Sequence, residues 1–126
     1  MKSNKIIVLI NKPISKVFEF TITPPNSTFW IDGVAKEETN EWPVQIGTVY
    51  KLTNNKGDIS NVIVKQIINN ELVEWIFEDK NYHCRYTFKP VKNNKTEFTY
   101  YKWVDKGEID EPFTLKTLNK LKLVIK

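Results

Sequence analysis

The 126-residue chain has one cysteine, one histidine, one methionine, one arginine and four glycines, and most of these scarcities remove a class of explanation. A lone Cys84 has no partner for an intramolecular disulfide and cannot supply a thiolate pair for zinc. With His83 as the only imidazole no multi-histidine metal site can be assembled, and with His83 read on the outer face and no inward acid beside it no nucleophile–base pair is expected, so no catalytic residue, metal or cofactor is assigned. The longest apolar run near the start, Ile6 to Ile10, is shorter than a signal-peptide core or a membrane span. No integral membrane segment is expected, and a cytoplasmic location follows by default. Arg85 is the single arginine among 19 basic residues, and the net charge of +4 is spread along the chain. Nucleic-acid binders gather charge and favour Arg for bidentate contacts, so no nucleic-acid partner is expected.

What is present suits a folded domain. Hydrophobic residues make up 40% and charged residues 27%, and four Trp, five Tyr and seven Phe supply large buried areas. Neither an internal repeat nor a linker-like stretch interrupts the chain, which reads as one domain over residues 1–126.

The order of elements is one strand, a helical stretch, a long run of strands and one amphipathic helix. Residues 5–11 read as a strand, ended by Asn11-Lys12-Pro13 with the Pro placed to start a helix carrying Ile14, Val17 and Phe18. Pro24-Pro25 breaks it, and Asn26-Ser27-Thr28 offers caps for a second short helix with Phe29 and Trp30. From Val34 onward the pattern has period two. A two-residue turn at Asn69-Asn70 sets Lys65 opposite Glu74, Val64 opposite Trp75 and Val62 opposite Phe77. A second at Lys80-Asn81 sets Trp75 opposite Tyr86, Phe77 opposite Cys84, Val73 opposite Phe88 and Glu78 opposite His83. Both registers put Val62, Val64, Val73, Trp75, Phe77, Cys84, Tyr86 and Phe88 on one inner face. Ile63, Ile67, Leu72 and Ile76 then fall on the outer face with the charges.

At Asn93-Asn94 two readings stand. A two-residue turn turns Tyr101 and Trp103 inward; a three-residue turn, which we prefer, turns Phe98 and Tyr100 inward, and Pro90 is a candidate bulge. The last helix is expected from Glu111-Pro112 to near Lys126, about four turns at 3.6 residues each. Its stripe of Leu115, Leu118, Leu121 and Ile125, with Val124 beside it, needs an apolar surface to cover.

The segments "NKPISKVFEF", "FWIDGVAKEE", "VQIGTVY", "YTFKPVKNNKTEFTY" and "EPFTLKTLNKLKLVI" together resemble the START-like, or SRPBCC, superfamily, with its polyketide cyclase/dehydrase-like and bacterial ligand-binding subgroups nearest. The resemblance implies an α+β helix-grip fold of the Bet v 1-like kind. In it a curled seven-stranded antiparallel sheet surrounds a C-terminal helix, and two short helices follow the first strand. It also implies a cavity for a small apolar molecule such as a lipid or polyketide. Tyr50, Val64, Trp75, Phe77 and Tyr86 would line that cavity, together with Phe88, Tyr100, Leu118 and Leu121. The short final helix points to a modest pocket.

Other residues read differently. His83 is taken as a solvated surface group paired with Glu78, and Cys84 as an inert inward thiol. Glu37, Glu38 and Glu41 are read on the second strand as a solvated edge. The alternative is a cyclase-, hydratase- or hydrolase-like enzyme using a cavity Tyr or Glu, tested at Glu38 or Tyr86. A third reading, from the chaperone-cofactor branch of the fold, is a protein-interaction module using the outer face, where the four outward apolar residues also allow a homodimer.

Overall fold

Pairing decides where the first strand begins. In this computed structural model, which describes residues 2–109 and 114–125, β1 spans Lys2–Ile10 because Lys2 is already opposite Val104 of β7. The apolar alternation alone marks only its second half. Pro13 then occupies the N-cap of α1 (Ile14–Ile22), whose Val17, Phe18 and Ile22 are buried. The helix stops at Thr23, since a residue before Pro is driven out of the α region, and Thr23 has ψ 117°. The second short helix is a single 3₁₀ turn, Asn26–Phe29, which delivers Trp30 into the core with no exposed surface.

Six further strands follow: β2 (Lys36–Thr39), β3 (Val49–Thr53), β4 (Ile59–Ile68), β5 (Leu72–Phe77), β6 (Tyr82–Val91) and β7 (Lys95–Val104). They form a seven-stranded antiparallel sheet of order β1-β7-β6-β5-β4-β3-β2. With α2 (Leu115–Val124) closing the concave side, this is the α+β helix-grip fold.

The inner face is the expected one, but the turns that set it are not. Val62, Val64 and Trp75 keep the expected partners on β4 and β5, yet Lys65 is a bulge and Glu74 pairs with Gln66. The loop is three residues long, with Asn70 at φ 61° and a Glu71 N–H to Ile68 O bond of 2.9 Å. Three-residue loops with a left-handed residue favour such a bulge. One extra residue reverses the pleat, so Ile67 packs on the core instead of facing out with Ile63 and Ile76. The β5–β6 loop has four residues, 78 to 81, because Asp79 Oδ1 accepts the N–H groups of Asn81 (2.8 Å) and Tyr82 (3.1 Å). Trp75 therefore faces Cys84, and Val73 faces Tyr86. This slip of two preserves the pleat, so every side chain stays on its expected side.

The last hairpin has three loop residues, with Asn93 and Asn94 at φ 65° and 58°. Phe98 and Tyr100 point inward as preferred, and Pro90 sits in regular register opposite Thr96 without a bulge. Of the final stripe, Leu118, Leu121 and Ile125 are buried, but Leu115 is 55% exposed. It lies one turn before Leu118, the first of the helix's side chains to reach the core. The expected helix start at Glu111-Pro112 lies outside the described residues. The ten described helical residues span about 15 Å, under three turns.

Candidate functional site

A layer of rings carried by the sheet sets one wall of a cavity. Trp75 stands edge-on to Tyr50, with centroids 5.6 Å apart at 90°, and to Tyr86, at 4.9 Å and 72°. Tyr86 also touches Trp30, Phe98 and Tyr100 at 6.0, 5.2 and 5.7 Å. Edge-to-face contact is a favoured packing of aromatic rings. A space of about 390 Å³ is left between the sheet, the segment after the 3₁₀ turn, and Thr117 of α2.

Of the nine residues expected to line a cavity, Tyr50, Trp75, Phe77, Tyr86 and Tyr100 do so. Val64, Phe88, Leu118 and Leu121 are not among its lining residues; they are buried in the surrounding core. Phe88 instead packs with Phe18 at 5.1 Å, near α1. Exposed Asp32, Gly33 and Asp58 edge the opening. There Asp32 accepts from Lys120 of α2 at 2.7 Å, and its carbonyl accepts from Asn55 Nδ2 at 3.1 Å. These two contacts tie three parts of the chain together across the rim.

The polar groups within the wall are more telling. Glu37, on β2 opposite Leu52, points inward and is only 7% exposed. Its Oε1 accepts from Ser27 N–H at 3.2 Å and its Oε2 from Ser27 Oγ–H at 2.7 Å. The expectation of a solvated second strand therefore fails for Glu37. It holds for Glu38, which faces out to Lys36 at 2.7 Å and cannot act in the cavity. Glu41 lies beyond the strand, where it accepts from Thr48 and Gln45 at 2.7 and 3.0 Å. Burial raises the pKa of Glu37, and the Ser27 hydrogen bonds oppose that only in part. Burial likewise lifts the Tyr50, Tyr86 and Tyr100 hydroxyls above their ordinary range, so all three are neutral at physiological pH. Tyr50 uses its hydroxyl to bond the Ile22 carbonyl at the end of α1. The Trp75 indole Nε1 is buried without a hydrogen-bond partner.

Cys84 and Lys102 are cross-strand neighbours on the same wall. Cys84 is partly exposed, yet desolvation pushes its thiol up to about 12, well away from a reactive thiolate. The Lys102 ammonium lies 4.5 Å over the Tyr82 ring. Alternation from Tyr100 places Lys102 inward, and pairing from Tyr50 through Thr39 places Glu37 inward. The first signal was present in the sequence once Tyr100 was on the inner face; the second needs the β2–β3 register, which only the structure supplies.

His83 does not pair with Glu78. It is buried under Trp103, stacked at 4.7 Å and 3°, and its Nε2 lies 2.9 Å from Asp105 Oδ2. Glu78 is taken into the β5–β6 loop, and β7 supplies the neighbour instead. Among the described residues no three His, Cys, Asp or Glu side chains are grouped to hold a metal ion.

The buried carboxyl yields a measurable sign. Its folded pKa is above its ordinary value near 4.5, so it favours folding when protonated, and that contribution is lost as pH rises through the folded pKa. Glu37→Gln keeps the shape without the ionisation. Its stability relative to wild type should therefore rise as pH is raised above 4.5 in paired urea titrations. A difference that does not change with pH would contradict the inward placement of an ionisable Glu37.

No family model matches the chain, and no curated protein matches its sequence. Solved structures do resemble it. A Bacillus cereus protein called XoxI is 14% identical with a TM-score of 0.77, covering 99% of this chain and 96% of its own. A Bacillus halodurans protein solved in solution is 16% identical with a TM-score of 0.74, covering 100% and 98%. The Aha1 dimer from Colwellia psychrerythraea is 15% identical with a TM-score of 0.66, covering 88% and 81%. At these identities the likeness is one of fold. No helix among the described residues is long and apolar enough to cross a membrane.

Proposed function

We propose that this chain is a single START-like, SRPBCC-type domain, of the bacterial ligand-binding or polyketide cyclase-like kind, that holds a small, largely apolar molecule in the cavity between its sheet and α2. The observation that carries the reading is the cavity of about 390 Å³ walled by Tyr50, Trp75 and Tyr86. That volume falls in the lower part of the range of about 300–1,000 Å³ found for small-molecule sites. Native mass spectrometry of the purified protein, with organic extraction, is expected to find a co-purified small molecule or uptake of an added one. Failure of both, together with no displacement of a fluorescent lipid, would remove this function.

A second reading is self-association through the convex face. Ile7 and Leu9 on the edge strand β1 are 52% and 48% exposed, and Ile68 is 41% exposed. The Colwellia protein of the same fold is a dimer. Sedimentation over a range of concentrations should show a dimer; monomer throughout would discard this reading.

A further inference from the structure

Glu37 differs from the other carboxylates in contact with the cavity. Asp32 and Asp58 are exposed at the opening, and Asp32 is paired with Lys120. Glu37 is inside the wall, and among the described residues no cation pairs with it. Its two hydrogen bonds both come from Ser27. A carboxylate has about four acceptor positions, so about two remain, on a group that lines the cavity.

Three further observations bear on what would use them. Carboxylates outnumber ammonium groups on the lining, with Asp32, Glu37 and Asp58 against Lys102. Lys102 lies with its ammonium 4.5 Å over the Tyr82 ring, and only burial and the Ser27 hydrogen bonds act on the Glu37 carboxyl. Tyr50, Trp75 and Tyr86 meet near right angles, and the faces of such rings are electron-rich and attract a cation or a polarised N–H or O–H. An anionic head placed at this end would be desolvated beside a carboxyl with no compensating charge.

We propose that the occupant is an apolar molecule with a hydrogen-bond donor head, a hydroxyl or an ammonium, received by Glu37, with its body against Tyr50, Trp75 and Tyr86. This rests on the ligand-binding reading above. The raised pKa of Glu37 fits a group lacking a partner that such a head would supply.

The test is isothermal titration calorimetry of the full chain with 1-decanol, decylamine, sodium decanoate and methyl decanoate, which share one body and differ in the head. Decanol or decylamine, or both, should bind roughly tenfold or more tightly than decanoate and the ester, the scale of one charge-assisted hydrogen bond. Decylamine leading identifies an ammonium site, and decanol leading a hydroxyl site. Glu37→Gln should lower decylamine affinity by roughly tenfold while decanol, which can still bond the amide oxygen, changes less than about threefold. Glu38→Gln, on the adjacent outward carboxylate, should change neither. Decanoate or the ester binding as well as the donors overturns the donor head while leaving the ligand-binding reading intact, as does a decylamine affinity untouched by Glu37→Gln. If none of the four binds, both fall together. The ranking on wild type decides the donor head even if the variant does not fold.

Discussion

Trp75→Ala should destabilise the protein by about 3–5 kcal/mol, toward the lower figure because the space it leaves joins one that already exists. For a domain of this size total stability is about 5–15 kcal/mol, so the expected fall in Tm is roughly 10–20 °C. The reason is geometric. Trp75 is 6% exposed and supports Tyr50 on one side and Tyr86 on the other, and Tyr86 in turn touches Trp30, Phe98 and Tyr100. Removing the indole loosens the ring that most of the concave face leans on. Trp75→Phe should cost much less, since it keeps an aromatic body and removes an N–H that has no acceptor. Chemical unfolding of both variants checks the pair. A Trp75→Ala loss near zero would mean that the inner face has been misassigned.

The second large effect is expected on the opposite face. Glu74 is 5% exposed, and its Oε1 is held by Arg85 Nε and Nη2, each at 2.7 Å. Arg85 also lies 5.3 Å over the Trp103 ring and is itself 40% exposed. Arg85→Met strands a buried carboxylate and should cost about 2–3 kcal/mol, discounted from the fully buried case because water reaches the guanidinium side. Adding Glu74→Met should restore most of that loss, since an apolar pair of similar volume does as well as a buried ion pair. A double-mutant cycle in urea measures the coupling directly. An Arg85→Met variant within about 0.5 kcal/mol of wild type would show that Glu74 is better hydrated than its burial suggests.

How far the sequence reaches is decided by which quantity the pleat protects. The inner face from Val62 through Phe98 and Tyr100 was legible because a strand has period two, and the β5–β6 register error at Lys80-Asn81 was a shift of two residues. The Asn69-Asn70 turn was off by one, and there the reading failed visibly, sending Ile67 to the wrong side. Nothing in Lys65 itself marks a bulge; it arises from the mismatch between a left-handed Asn70 and the registers already fixed farther along the strands. His83 was placed on the correct face of the strand but given the wrong surroundings, because burial there comes from Trp103 of the adjacent β7, the cross-strand partner that the three-residue turn after Val91 sets opposite it, and not from β5. The cavity's aromatic wall followed from the face assignment. Glu37 did not, since composition argues that a carboxylate belongs outside, and only the Ser27 donors from the 3₁₀ turn make the inward position tolerable.

The bulge at Lys65 has a consequence for comparison among proteins of this fold. Its side chain is exposed and its backbone adds one residue between Val64, opposite Trp75, and Gln66, opposite Glu74. In a column-by-column alignment Lys65 therefore occupies a position with no counterpart in an unbulged strand. Placing it without a gap would match Ile67 to a solvent-facing residue in every relative that lacks it.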